Sequence, residues 1–197
     1  MINNFELINN LIDFTEKDGI FMHTQVIRRG KDHPDMPAAN RSIKTYYIQS
    51  KQYLLKVKDE IINLCELFKA RAYINVTPKH IKKLATLTSS KLAERIHEED
   101  YKKIHRVFES AAGELKGINT RFLIDIDDIS YKDSVLEYLN KYFDNNSYLY
   151  AQIPTKNGIH LISKPFYLAA FKEKFPNVEV HKNNPTILYI PKSLDDE

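Results

Sequence analysis

The chain has 197 residues, 43% hydrophobic and 28% charged, which supplies one full core and excludes a disordered segment. Its single cysteine, Cys65, excludes an internal disulfide and a Cys-rich zinc site, and no window reaches the ~18 consecutive apolar residues of a membrane span. A formal net charge of +3 permits a polyanionic partner without requiring one.

The N-terminus is Asn-rich and acidic, unlike a secretory signal, so the expected location is the cytoplasm. Residues 4 to 15 place Phe5, Ile8, Leu11 and Ile12 at helical spacing, and Asp18-Gly19 breaks that pattern. Phe21 to Arg28 reads as a strand, and Gly30 to Asn40, with Pro34 and Pro37, as a loop. Ser42 to Gln49 is a second strand, after which Ser50 caps a helix reaching about Lys69. Cys65 falls on the apolar stripe of that helix, so a buried, inert thiol is expected. Arg71 to Val76 alternates: Ala72, Ile74 and Val76 point one way, and Arg71, Tyr73 and Asn75 the other. Two helical stretches follow, at 79–97 and 101–113, with Gly113 and Gly117 marking the exit.

In the second half, Arg121 to Asp127 is a strand and Tyr131 to Phe143 a helix. Tyr148 to Ile153 and Ile159 to Ser163 form a hairpin across Pro154-Thr-Lys-Asn-Gly158. Pro165 to Lys174 is a short helix, and Val178 to His181 and Ile187 to Ile190 are closing strands, paired as an edge hairpin. The order β-α-β-β-α-β is the split βαβ pattern of ferredoxin-like, RRM-like folds. The expected fold class is therefore α/β (α+β), with an N-terminal α/β lobe (1–117) packed on an RRM-like lobe (118–197) in one compact domain.

Three constellations carry chemistry. In Phe122-Leu-Ile-Asp-Ile-Asp-Asp128, residues two apart share a face, so Asp125 and Asp127 stand together opposite Phe122, Ile124 and Ile126. Neighbouring carboxylates repel unless a proton or cation intervenes, and hard cations such as Mg²⁺ or Mn²⁺ favour all-oxygen ligation. The plainer alternative is a strand end whose acids cap the next helix, a role that suits Asp128. Next, the turn holding Thr155, Lys156 and Gly158 leads into a strand bearing His160, and its amides and side chains suit a phosphate. Finally, Glu179 and His181 alternate with Val178 and Val180, which alone is an ordinary edge.

The ordered set of Asp125-x-Asp127, then Thr155-x-x-Gly158-x-His160, then Glu179 resembles the archaeo-eukaryotic primase superfamily, closest to the primase-polymerase branch of phages and plasmids. The resemblance spans residues 121–193. It implies that Asp125, Asp127 and Glu179 hold one or two Mg²⁺ or Mn²⁺ ions. It also implies that His160, with Lys156 or Lys164, binds the phosphates of a nucleoside triphosphate. The implied activity is nucleotidyl transfer on a single-stranded DNA or RNA template, with a replication or helicase partner, in the host cytoplasm if the chain is phage-encoded. The basic stretch with Arg28 and Arg29, then Lys44 with Tyr46 and Tyr47, and the polar strand face of Arg71 and Tyr73, are expected to meet the nucleic acid. The rival expectation is a catalytically degenerate nucleotide or nucleic-acid binder, such as a phage accessory protein.

Overall fold

Two antiparallel sheets organise the protein, and the last strand of the chain belongs to the first of them. The computed structural model describes residues 1–14, 19–33, 39–143 and 148–194. Asp18 of the predicted break, and Pro34 and Pro37 of the predicted loop, lie outside these residues.

The first sheet contains β1 (Ile2–Asn3), β2 (Ile20–Arg28), β3 (Arg41–Ile48), β4 (Arg71–Ile74), β5 (Lys79–His80) and β10 (Thr186–Ile190). Its order is β1-β10-β4-β2-β3, with β5 pairing the start of β2. The alternation in β4 puts Ala72 and Ile74 into the core and leaves Arg71 and Tyr73 on the opposite face. Over the core face lies α2 (Lys51–Phe68), which buries Leu54, Val57, Ile61 and Cys65, a stripe at the spacing of one helical face. Ser50 caps this helix: its Oγ accepts from the Tyr53 amide at 3.0 Å. At the other end Lys69 turns left-handed (φ 45°), and the Ala70 amide donates to the Cys65 carbonyl at 2.9 Å. Burial pushes the Cys65 thiol up to about 12, which leaves it protonated and unreactive as expected.

The second sheet contains β6 (Phe122–Ile126), β7 (Leu149–Pro154), β8 (Ile159–Ser163) and β9 (Glu179–His181), in the order β7-β8-β6-β9. Strand β8 inserts between β6 and β7, which is the split βαβ arrangement. Helices α5 (Lys132–Phe143) and α6 (Leu168–Lys174) cover one face, where Phe122, Ile124 and Ile126 meet Val135, Leu139 and Phe171. The other face contributes Leu123, Ile153 and Ile162 to the core beneath the first sheet. Helix α1 (Phe5–Leu11) buries Phe5 and Ile8 in that shared core. Asn4 ties the two sheets: its side-chain amide donates to the carbonyls of Pro154 on β7 and Ile187 on β10, at 3.0 and 3.1 Å. The fold class is α+β, as the element order implied.

Several boundaries differ from expectation. The helix expected at 79–97 begins at Ile81 as α3 (Ile81–His97), because Lys79 and His80 pair with Phe21 and Ile20. The stretch 101–113 divides into a 3-10 turn, Ile104–Arg106, and α4 (Val107–Glu114), so Gly113 lies inside a helix rather than at its exit. Pro165 precedes α6 instead of opening it. The largest correction concerns the closing strands. They form no edge hairpin: β9 pairs with β6, whereas β10 crosses to the first sheet between β1 and β4. All five residues of β10 are buried, which satisfies an apolar strand better than a sheet edge would.

Candidate functional site

Strand register places the motifs. Asp125 on β6 is the direct cross-strand partner of His160 on β8 and of Glu179 on β9. Opposed residues in an antiparallel pair share a face, so Glu179, Asp125 and His160 form one row across the second sheet. Residues far apart in sequence thereby become neighbours through backbone pairing alone.

Within the row, His160 Nε2 stands 3.3 Å from Asp125 Oδ1, and His160 Nδ1 stands 2.8 Å from Thr186 Oγ1. The imidazole beside it holds the Asp125 carboxyl below the usual carboxylate range; burial opposes this, and the positive side of His181 adds to it. Asp125 is therefore ionised at neutral pH. Glu179 is paired differently: its side chain is 70% exposed and lies 3.0 Å from His181 Nε2. Asp128 serves as a cap, as the plainer alternative had it, its Oδ1 accepting from the Ser130 amide at 3.0 Å.

Between the sheets lies a cleft of about 380 Å³. Its acidic side carries Asp125 and Asp127, with His160, Thr155 and Lys156 alongside. The first sheet supplies the facing wall through Arg29, Lys31, Arg71 and Tyr73. Arg71 is neutralised by Asp32 in a nearly buried bidentate pair, Nε to Oδ2 at 2.8 Å and Nη2 to Oδ1 at 2.6 Å. Arg29 donates to the Tyr73 hydroxyl at 3.2 Å. Lys156 donates to the Leu194 carbonyl at 2.6 Å. The cleft is thus acidic on one side and basic on the other, suited to an anion held through both cations and a bridging metal.

The turn from Thr155 to Gly158 is built by close approach. The Gly158 amide donates to Thr155 Oγ1 at 3.1 Å, and the Thr155 amide donates to the Gly158 carbonyl at 3.0 Å. A Cβ at Gly158 would fall 1.9 Å from the Ile126 carbonyl oxygen and 3.0 Å from the Asp127 Cα. Only glycine lets this turn seat against the end of the acidic strand.

The remaining expected residues lie elsewhere. Glu179 lines an adjoining hollow of about 270 Å³, which Asp125 and Asp127 also border. Lys164 follows the far end of β8, remote from the turn, where its amide donates to the Tyr148 carbonyl. Arg28 faces His33 Nδ1 at 3.4 Å. Lys44 pairs with Glu60 in a separate groove beside Tyr53, while the Tyr46 ring is buried in the core and cannot stack on a base. Thr186 and Asp32 escaped sequence reasoning. Nothing local marks Asp32, and Thr186 stands just before the expected closing strand Ile187 to Ile190, whose hairpin does not form.

For a divalent cation the donor chemistry is suitable. Asp125 and Asp127 offer hard oxygens, and Mg²⁺ is commonly held by one or two carboxylates plus phosphate and water. Among the described residues, no group of three or more His, Cys, Asp or Glu side chains is gathered to hold a metal. Also among them, no helix is long and apolar enough to cross a membrane. No family model, curated protein or solved structure matches the chain.

Proposed function

We propose that the protein is a Mg²⁺- or Mn²⁺-dependent nucleotidyltransferase of primase-polymerase type. It would act on nucleoside triphosphates and a single-stranded DNA or RNA template in the cytoplasm. The observation that carries the reading is the cross-strand row Glu179, Asp125 and His160, of which Asp125 and His160 line a cleft whose facing wall is basic.

Asp125 and Asp127 would hold the cation, with Glu179 turning in from the adjoining hollow to complete the set. A cation so held lowers the pKa of an attacking hydroxyl and offsets charge on the transferring phosphoryl group. His160 and Lys156 would orient the triphosphate from the second sheet, and Arg29 and Lys31 from the first. Tyr73 offers an aromatic ring on the same wall, where a base can stack. A replicative partner such as a helicase follows from the resemblance alone.

The exposed position of Glu179 and its pairing with His181 favour a second reading: a binder that keeps the cleft without the chemistry. Calorimetric titration with Mn²⁺ and a nucleoside triphosphate separates the two. The first reading expects triphosphate binding that needs Mn²⁺ and is lost in Asp125→Ala/Asp127→Ala. Binding that ignores both the metal and the substitutions would leave only the binder.

A further inference from the structure

We propose that Thr186 is a positioning residue for the cleft, fixing the ring orientation of His160. The inference rests on the proposed nucleotide site and adds to it a residue from the other sheet.

Thr186 is fully buried on β10, opposite Ile74 of β4, so its backbone belongs to the first sheet. His160 belongs to the second. The 2.8 Å contact between Thr186 Oγ1 and His160 Nδ1 is therefore a side-chain bond from sheet to sheet at the edge of the cleft.

The direction of that bond follows from proton counting. A carboxylate only accepts, so the nitrogen facing Asp125 at 3.3 Å, Nε2, carries the hydrogen. A neutral imidazole has one N–H, which leaves Nδ1 as an acceptor. The Thr186 hydroxyl must then donate to Nδ1. This arrangement aims the imidazole N–H at the acidic row, beside the space where a phosphate oxygen would sit. Without the hydroxyl, Nδ1 would be a buried acceptor with no donor, at a cost the ring can escape by turning away.

A merely space-filling Thr186 would be replaced without loss by valine, which has nearly the same shape. The full-length chain, labelled with ¹⁵N at its imidazoles, decides between the two. Long-range ¹H–¹⁵N spectra recorded where the imidazole is neutral should show His160 as the Nε2–H tautomer in the wild type. In Thr186→Val the Nδ1 resonance should move to the position of an acceptor without a hydrogen bond, and Thr186→Ser should restore the wild-type signature. With Mn²⁺ and a nucleoside triphosphate, Thr186→Val should weaken binding about tenfold, the equivalent of one hydrogen bond, while Thr186→Ser stays near wild type. An Nδ1–H tautomer in the wild type overturns the proposal without any variant. An unchanged His160 spectrum in a folded Thr186→Val does so as well. The spectra need no nucleotide, so a wild type that binds no triphosphate would defeat the functional reading and leave the role of Thr186 to be decided by the His160 spectra.

Discussion

Asp125 and His160 sit opposite each other in the β6–β8 ladder, and the imidazole Nε2 lies 3.3 Å from the carboxylate. The same ladder brings the Gly158 turn over the end of the acidic strand, only two residues before His160. The hairpin therefore sets both the distance to Asp125 and the shape of the floor beneath Asp127. The energetic weak point of that construction is the glycine.

Gly158→Ala should destabilise the protein by about 1–3 kcal/mol, the usual cost of forcing extra volume into a packed contact. Here the added Cβ meets backbone, the Ile126 carbonyl oxygen at 1.9 Å, and backbone yields less readily than a side chain. Urea midpoints compared with Asn157→Ala, an exposed position in the same turn, check this. Equal midpoints for the two variants would show that the turn is not packed as described.

Asp32→Asn should cost about 3–5 kcal/mol, because it leaves the Arg71 guanidinium nearly buried without its counter-charge. Replacing both partners, Asp32→Leu with Arg71→Met, should recover most of that loss. Denaturant unfolding of the two variants against wild type tests the pair. A single substitution within ~0.5 kcal/mol of wild type would mean that water already screens it.

His23 gives stability a pH dependence. Burial, helped by the charge of Lys79, lowers its pKa from 6.5 to about 4. Between those values the unfolded chain takes up a proton that the folded chain refuses. This contribution is present above pH 6.5 and is lost as pH falls toward 4, by about 3 kcal/mol at most. His23→Gln should flatten the profile between pH 7 and pH 4.5, measured by urea unfolding. A variant with the same slope as wild type would contradict the assignment.

Much of this site was legible because β-alternation is a strong local signal. Asp125 and Asp127 share a face by spacing alone, Gly158 marks a turn, and Arg71 and Tyr73 separate from Ala72 and Ile74. What sequence could not supply was which strands become neighbours. Asn183-Asn184-Pro185 looks like a hairpin turn, yet it carries the chain from one sheet to the other, because β10 is buried between β1 and β4. That crossing hid Thr186. Asp32 was hidden for a related reason: its partner, Arg71, lies 39 positions away. Around Lys44, charge next to aromatics suggested a nucleic-acid groove, and the fold adds what the spacing could not show: Glu60 pairs with the lysine and Tyr46 packs into the core.

The central claim is that the acidic row performs metal-dependent nucleotidyl transfer. Its most direct test is incorporation of labelled nucleotides on a single-stranded template with Mn²⁺, by wild type and by Asp125→Ala/Asp127→Ala. The wild type should extend or prime, with activity abolished by chelation and reduced more than ~100-fold in the double variant. No incorporation by the wild type, or equal incorporation by both proteins, would contradict the account.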